Sequence, residues 1–451
     1  MTPEELAARG LEAAGPGVDA FATAIRERSL LLRFAASRPT QATAVEDLEL
    51  ELAVVRDGHV GRASTNDQAP RALTECARSA LAAAEAAAHV GAGTYPGFPV
   101  PQAGRAHAGH DSATARLDPA QGGRTLAAAF EAAADAGMEA HGIWTAAEVE
   151  TAVAAAGGSA VDRVTDAFMK VICIAPSGRS GYASRTAVAA GELDGTALGA
   201  QAAAKASASG EPARLPAGEY PVVMEAHAVG WLLDLLAVTA LNGLAHVEGR
   251  GALADRLGRQ VAAPAINLSD SPASPQTLPR GMDAEGAIKR PLPLIEDGVA
   301  KRVVHDTRSG ALAGEPSTGH ALRAGGAPGG PRATNLVLAG GGAADLTELC
   351  APIERGVYVT RLWYANVVRP RESLITAVTR DGTFLIEDGR IARPLADLRL
   401  TDSVLGILGR TQALAQRQVL ASDGEFYGRR FAAGVVCPAL RAGSVRFTGS
   451  A

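Results

Sequence analysis

The pentapeptide Leu-Ile-Glu-Asp-Gly occurs twice, at residues 294–298 and 385–389. In each copy apolar, strand-like residues lead into Glu-Asp-Gly and a second strand-like run follows. Asp-Gly between two such runs is a strong hairpin signal, because the tight turn needs positive φ at both central residues. The second half of the chain is thereby constrained to antiparallel β-structure. Two hairpins of one design suggest a sheet that closes on itself or folds over, from a duplicated unit. Equally, Glu-Asp-Gly is a common turn, and both readings stay open.

The first half alternates differently. A short helix opens the chain. Residues 18–34 and 48–62 carry alternating or β-branched apolar residues, with Asp57-Gly58 as the turn in the second run. Apolar residues at spacings of three and four predict a helix over 71–88. Residues 91–123, rich in Pro, Gly and His, read as a long loop; such loops serve as lids or binding elements or are partly disordered. A second helix is expected from about 119 to 136. Three or four short strands follow between 140 and 187, with turns at Gly157-Gly158 and Ser177-Gly178, and then a helix over 193–206. This is an α+β pattern, an antiparallel sheet with packed helices. Residues 207–218, with two prolines, mark the boundary between an N-terminal α+β domain (1–212) and a C-terminal β-rich domain (213–451). The latter is expected to be barrel-like around one buried helix: a strand over 220–225, the apolar helix over 229–244, and mostly β-structure thereafter.

Composition narrows the function. The chain has 451 residues, 47% hydrophobic and 20% charged, with a formal net charge of −5 and no block of like charges, so no footprint for nucleic acid or an anionic membrane is expected. The N-terminus lacks a basic head followed by an apolar core, so no signal peptide is expected. The most apolar run, 228–241, is interrupted by Asp234 and is too short to span a bilayer. Cys76, Cys173, Cys350 and Cys437 form no close-spaced pair, which fits a reducing, cytoplasmic compartment. The abundance of Ala and Gly reads as genomic bias.

Five phrases of the second half carry a resemblance: Ser317-Thr318-Gly319-His320-Ala321; Arg332-Ala333-Thr334-Asn335 leading into Leu336-Val337-Leu338; Gly356-Val357-Tyr358-Val359-Thr360-Arg361; Thr379-Arg380-Asp381-Gly382 running to Ile386-Glu387-Asp388-Gly389; and Pro438-Ala439-Leu440-Arg441 followed by Phe447-Thr448-Gly449. In order and spacing, from about residue 215 onward, they resemble the TldD/PmbA (modulator of DNA gyrase) metallopeptidases. The first 210 residues agree more weakly.

In the catalytic TldD-type chains of that family, the helix after the first strand of this domain carries H-E-x-x-x-H. Two histidines on one helix face hold a metal, and the Glu acts as general base on metal-bound water. The alignment places Asp234 at the first His, Leu235 at the Glu and Thr239 at the second His. A leucine cannot take a proton from water. The third ligand, a Cys in TldD-type chains, falls near Gly424, and Cys437 lies too far along the chain to replace it. No catalytic residue and no metal ligand is therefore expected in this chain. The resemblance implies a TldE/PmbA-like subunit that pairs with an H-E-x-x-x-H-bearing TldD-like subunit. That partner would hold the zinc, and the peptide cleft would lie in or near the interface. Peptide would add to a strand edge, with Asn335, Thr360, Arg361, Asn366, Thr379 and Arg380 as candidate cleft residues. Arg361 and Arg380 could hold a peptide carboxylate bidentately, or make structural salt bridges.

Other constellations carry less. His107 and His110 have the spacing of metal ligands but no third ligand, and read as solvent-exposed or mobile histidines. Glu225, His227 and Asp234 could form a replaced metal site. The preferred reading is a polar pair at the strand–helix junction, with His227 or Glu225 capping. Gly340-Gly341-Gly342, before a helix capped by Asp345, lacks the remainder of a phosphate loop and reads as a turn. Trp363-Tyr364 is expected to fill the core rather than to stack on substrate. Two rival functions stay open: a stand-alone biosynthetic enzyme acting on an amide or small molecule at a different site, and a peptide-binding protein without catalysis.

Overall fold

The computed structural model describes residues 1–450 except 90, 92, 209–210 and 423–427. Helix α1 (Pro3–Ala14) begins with a reciprocal cap. Glu5 N donates to Thr2 Oγ1 (3.1 Å) and Thr2 N to the Glu5 carboxylate (2.9 Å). Strands β1 (Ala20–Ala35), β2 (Arg38–Arg56) and β3 (His59–Thr65) form a meander. Its second turn is Asp57-Gly58, with φ of 51° and 74°, the type I′ geometry expected of Asp-Gly. Helices α2 (Pro70–Ala88) and α3 (Pro119–Asp135) precede β4 (Glu139–Ala155), β5 (Gly158–Ile174) and β6 (Ser180–Ala187), and α4 (Gly195–Ala206) closes the unit. The six strands make one antiparallel sheet in the order β3-β2-β1-β4-β5-β6. The region 140–187 thus holds three strands, two of them long, rather than several short ones.

Strand alternation divides this sheet into two faces. Ala20, Ala22 and Ala24 on β1 and Trp144, Ala146 and Ala152 on β4 are buried under the four helices. The Ala-rich helices lie close because glycines sit beneath them. A methyl group built on Gly61 would collide with the backbone of α2, and one on Gly181 with that of α4. The opposite face presents Phe21, Val153 and Ala155, which pack against Met282 and Ala324 of the second half.

The second half begins with β7 (Gly218–Met224), α5 (Ala226–Thr239) and α6 (Gly243–Val247). The helix expected over 229–244 therefore starts earlier and breaks at Ala240. Asn242 accepts a hydrogen bond from Ala245 N (3.0 Å) and starts a new helix there. Short strands β8 (Leu268–Asp270), β9 (Leu292–Glu296) and β10 (Val299–Ala300), α7 (Thr307–Ala313), β11 (Asn335–Leu338) and α8 (Leu346–Cys350) follow. The chain ends with β12 (Arg355–Arg369), β13 (Leu374–Glu387), β14 (Arg390–Pro394), β15 (Leu398–Ser403), α9 (Val404–Gly409), β16 (Thr411–Ala421) and β17 (Gly434–Ser450). Both Leu-Ile-Glu-Asp-Gly copies turn tight hairpins, β9–β10 and β13–β14, with Asp297, Gly298, Asp388 and Gly389 all at positive φ.

The expected β-rich, barrel-like second half is present, with the barrel-like part limited to five strands. β7 pairs with both β12 and β17, so β17-β15-β13-β12-β7 link in a circuit. Strands β11, β8, β9 and β10 run on beyond β17, and the 11-stranded sheet is not a closed barrel. Helix α5 packs on this sheet, with Leu232, Leu233, Leu236 and Ala237 buried in the largest apolar cluster.

Residues 93–118 contain only one short 3-10 turn, Thr114–Arg116, yet they are tied down. Tyr95 and Phe98 stack toward Phe21, the Tyr95 hydroxyl donates to Glu285 (3.0 Å), and Gln102 N donates to Gly286 O (3.0 Å). The segment is a strap joining the first sheet to the second half. His107 lies within it, its side chain buried, with Nε2 2.6 Å from Asp162. His110 rests on a different carboxylate, Glu148, at 3.0 Å. The reading of both as free surface histidines is therefore corrected for His107, and the two do not converge. Trp363-Tyr364 also departs from expectation: Tyr364 is 71% exposed, at φ 49°, and Trp363 is half-buried.

Candidate functional site

Helix α5 brings the three metal-motif positions to one region. Asp234, half-buried, is ion-paired with Arg332 from the segment before β11. Leu235 packs against the core cluster. The Thr239 hydroxyl donates to the Leu235 carbonyl (2.8 Å), the usual back-bond of a helical threonine. These donors do not fit a zinc ion. The one carboxylate already holds a guanidinium, and the other two positions offer an apolar side chain and a committed hydroxyl. The expected position of the third ligand, near Gly424, lies outside the described residues. Cys437 is on β17, against the first turn of α5, where its thiol donates to Ala226 O (3.2 Å) and burial pushes its pKa well up. Among the described residues, no group of three or more His, Cys, Asp or Glu side chains is arranged to hold a metal.

Arg332 also lines a cavity of about 320 Å³ between the two halves. One wall is the helix-free face of the first sheet: Thr23 and Ile25 of β1, Val149 and Thr151 of β4, and Val164 of β5. The other comes from irregular segments, 280–289, 320–334 and 429–432. Its floor is a buried polar cluster in which Asp270 Oδ1 lies 3.2 Å from His320 Nε2 and 3.4 Å from Lys289 Nζ. The ammonium and the imidazole hold Asp270 below the usual carboxylate range despite its burial. Beside the cluster, burial raises Asp283 to about 6 and Glu285 to about 7. Most cations of the lining have a carboxylate partner: Lys289 with Asp270, Arg323 with Glu51, Arg332 with Asp234, Arg429 with Glu49 and Arg430 with Asp166.

The six candidate cleft residues do not form one group. Asn335, on β11, is buried and donates to Leu278 O (2.7 Å). The other five lie on β12 and β13, where Arg361 is the cross-strand neighbour of Arg380 and Leu362 that of Thr379. Arg361 is buried between the rings of Tyr182 (4.5 Å) and Trp363 (5.0 Å), with Nε donating to Asp381 (2.8 Å). Arg380 and Asn366 are exposed. Thr379 is buried and accepts from Leu398 N (2.9 Å).

Thr360 donates to Glu225 (3.1 Å), which also accepts from the Tyr358 hydroxyl (2.7 Å) and pairs with Lys205 (2.9 Å). Glu225 occupies the N-cap position of α5, but its side chain makes no capping bond and turns to these partners instead. His227 is half-buried, edge-on to Tyr182 and 3.4 Å from Ser184 Oγ, and desolvation lowers its pKa to about 4. Asp234 is bound to Arg332 rather than to either of them, so the three do not form a metal site.

Sequence reasoning missed Arg280, Lys289, Asp270 and Arg430, which come from segments without periodicity. It held four of the cavity's lining residues, His320, Ala321, Arg332 and Thr334, inside phrases valued only for their resemblance.

The model of the PmbA/TldA metallopeptidase C-terminal domain matches residues 217–449, and that of PmbA/TldA metallopeptidase domain 1 matches residues 23–84. A metalloprotease of Methanothermobacter thermautotrophicus is 26% identical over 195 residues, 43% of this chain and 42% of the relative. A zinc metalloprotease TldD homolog of Saccharolobus solfataricus is 34% identical over 107 residues, 23% of this chain and 24% of the relative. The chain thus spans less than half the length of these curated relatives. TldE from Thermococcus kodakarensis superposes with a TM-score of 0.84 at 20% identity, covering 99% of both chains. A candidate DNA gyrase modulator from Thermotoga maritima also gives 0.84, at 21% identity over 99% of this chain and 100% of the other. With one family model matching more than half of its length, the chain belongs to the PmbA/TldD metallopeptidase family.

Proposed function

We propose that this chain is the non-catalytic, TldE/PmbA-like subunit of a heterodimeric zinc metallopeptidase that cleaves small or unfolded peptides, in peptide maturation, turnover or natural-product biosynthesis. One observation carries the reading: an arginine stands against Asp234, and a leucine stands where the general base would be. Zinc and the water-activating Glu then belong to a cytoplasmic TldD-like partner. This chain, divided at residues 212 and 213, contributes cleft walls and stabilises that partner. The resemblance to TldE over nearly the whole chain supports the assignment to the metal-free half of the pair.

The test is co-expression with a TldD-like chain bearing H-E-x-x-x-H, followed by size measurement and a peptidase assay with and without chelator. A one-to-one complex with chelator-sensitive activity, and no activity from this chain alone, is the expected result. Turnover by this chain alone would overturn the reading.

A further inference from the structure

Arg280 is the exception among the cations of the inter-sheet cavity. Its guanidinium is mostly buried, yet among the described residues no carboxylate lies within 4.0 Å of it. One Nη donates to the Ala432 carbonyl, and Nε is buried without a hydrogen-bond partner. The ring of Phe431, partly exposed at the rim, lies 4.8 Å from the guanidinium carbon. A guanidinium stays charged even where burial lowers its pKa, as it does here. A buried charge without a counter-ion is unfavourable unless something supplies one. The five other lining cations touch protein carboxylates, whereas Arg280 meets Asp162, Asp270 and Asp166 only beyond contact distance.

We propose that the cavity binds the terminal carboxylate of a peptide ending in an apolar residue, with Arg280 as the carboxylate's partner. A guanidinium presents parallel N–H donors that match a carboxylate bidentately. Beside it, Ile25, Val149, Val164, Met282 and Leu322 give an apolar wall for the last side chain, and about 320 Å³ lies at the lower end of small-ligand cavities. A singly charged carboxylate suits the setting better than a phosphate. Asp162 lines the same cavity and Asp270 lies at its floor, and both would repel a second negative charge. That the anion comes from a peptide rests on the subunit reading given above. The cavity and its unpaired arginine do not.

The test is calorimetric titration of the purified chain, without partner or zinc, using N-acetyl-Ala-Leu as the free acid, its C-terminal amide, and inorganic phosphate. The acid should bind roughly tenfold or more tightly than the amide, and Arg280→Met should weaken acid binding by a similar factor. Equal binding of acid and amide by the wild-type protein would refute the assignment even if the variant failed to fold. So would tighter binding of phosphate than of the acid, or unchanged acid binding by a folded Arg280→Met protein. Failure of the heterodimer test would leave these titrations unaffected, and failure of the titrations would leave the subunit reading intact.

Discussion

Replacing Arg430 with Met should be among the most destabilising single changes in this chain. Arg430 lies in the segment before β17 and reaches 264 residues back to β5. There its Nε donates to Asp166 (3.0 Å) and an Nη to Thr145 (2.6 Å), while its backbone N–H donates to Glu27 (2.8 Å). Both side chains of the ion pair are 3% exposed, so water cannot replace the guanidinium. The variant leaves Asp166 as a buried, unpaired carboxylate, which costs about 3–5 kcal/mol. Thr145 adds little, because its hydroxyl also donates to Leu30 O (2.7 Å). Removing both charges is different: a well-packed apolar pair in place of a buried ion pair is often neutral or stabilising. The double variant Arg430→Met with Asp166→Leu should therefore recover most of the loss. Urea unfolding followed by tryptophan fluorescence, to which buried Trp144 next to Thr145 contributes, reads the loss. A loss below about 1 kcal/mol for Arg430→Met, or additive losses in the double variant, would show that the pair is not the staple described here.

Three further outcomes are expected. Gly61→Ala forces α2 away from β3, because the new methyl group would meet the helix backbone at Ala80 and Ala84; a thermal melt should show a loss of about 1–3 kcal/mol or more. Glu285, raised from 4.5 to about 7, keeps a proton in the folded chain that the unfolded chain releases. Its contribution is present below pH 4.5 and fades as pH rises through 7, whereas His227, lowered from 6.5 to about 4, adds stability as pH rises from 4 to 6.5. Melts across pH 4–8 should then show Glu285→Gln and His227→Gln removing slopes of opposite sign, and slopes of one sign would contradict the assignment. Installing the motif with Asp234→His, Leu235→Glu and Thr239→His should leave zinc affinity weak while Arg332 remains, since a unit charge near 4 Å opposes a cation by up to ~4 kcal/mol per cation charge at the effective dielectric of a protein surface. Adding Arg332→Ala should strengthen zinc binding in a chelator-competition titration, and equal affinities with and without Arg332 would refute the role given to that guanidinium.

Local chemistry was legible where local chemistry decides structure. Asp57-Gly58, Asp297-Gly298 and Asp388-Gly389 each require positive φ, and each is a hairpin turn. Asp345 caps a short helix through Glu348 N (2.9 Å), as its position after three glycines suggested. The start of β2 was not legible. Residues 39–47 show no apolar alternation because most of their side chains face water, and only pairing with β1 makes them a strand. The break in the apolar helix after Thr239 was missed because the residues on both sides are buried, and no polarity change marks it.

The candidate site was legible only in part. Asp234, Leu235 and Thr239 offer no zinc-binding set, but nothing local to α5 says which residue stands against Asp234. That residue, Arg332, is 98 positions away in sequence, and an ion pair across such a distance leaves no periodic trace. The same holds for the cavity it borders, whose charged lining comes mainly from segments that belong to no long strand or helix. The sheet and helices set two walls face to face, and the irregular segments between them place the charges. The family's regular elements are therefore kept here beside a charged, apolar-walled pocket, and that pocket is the place to look for binding.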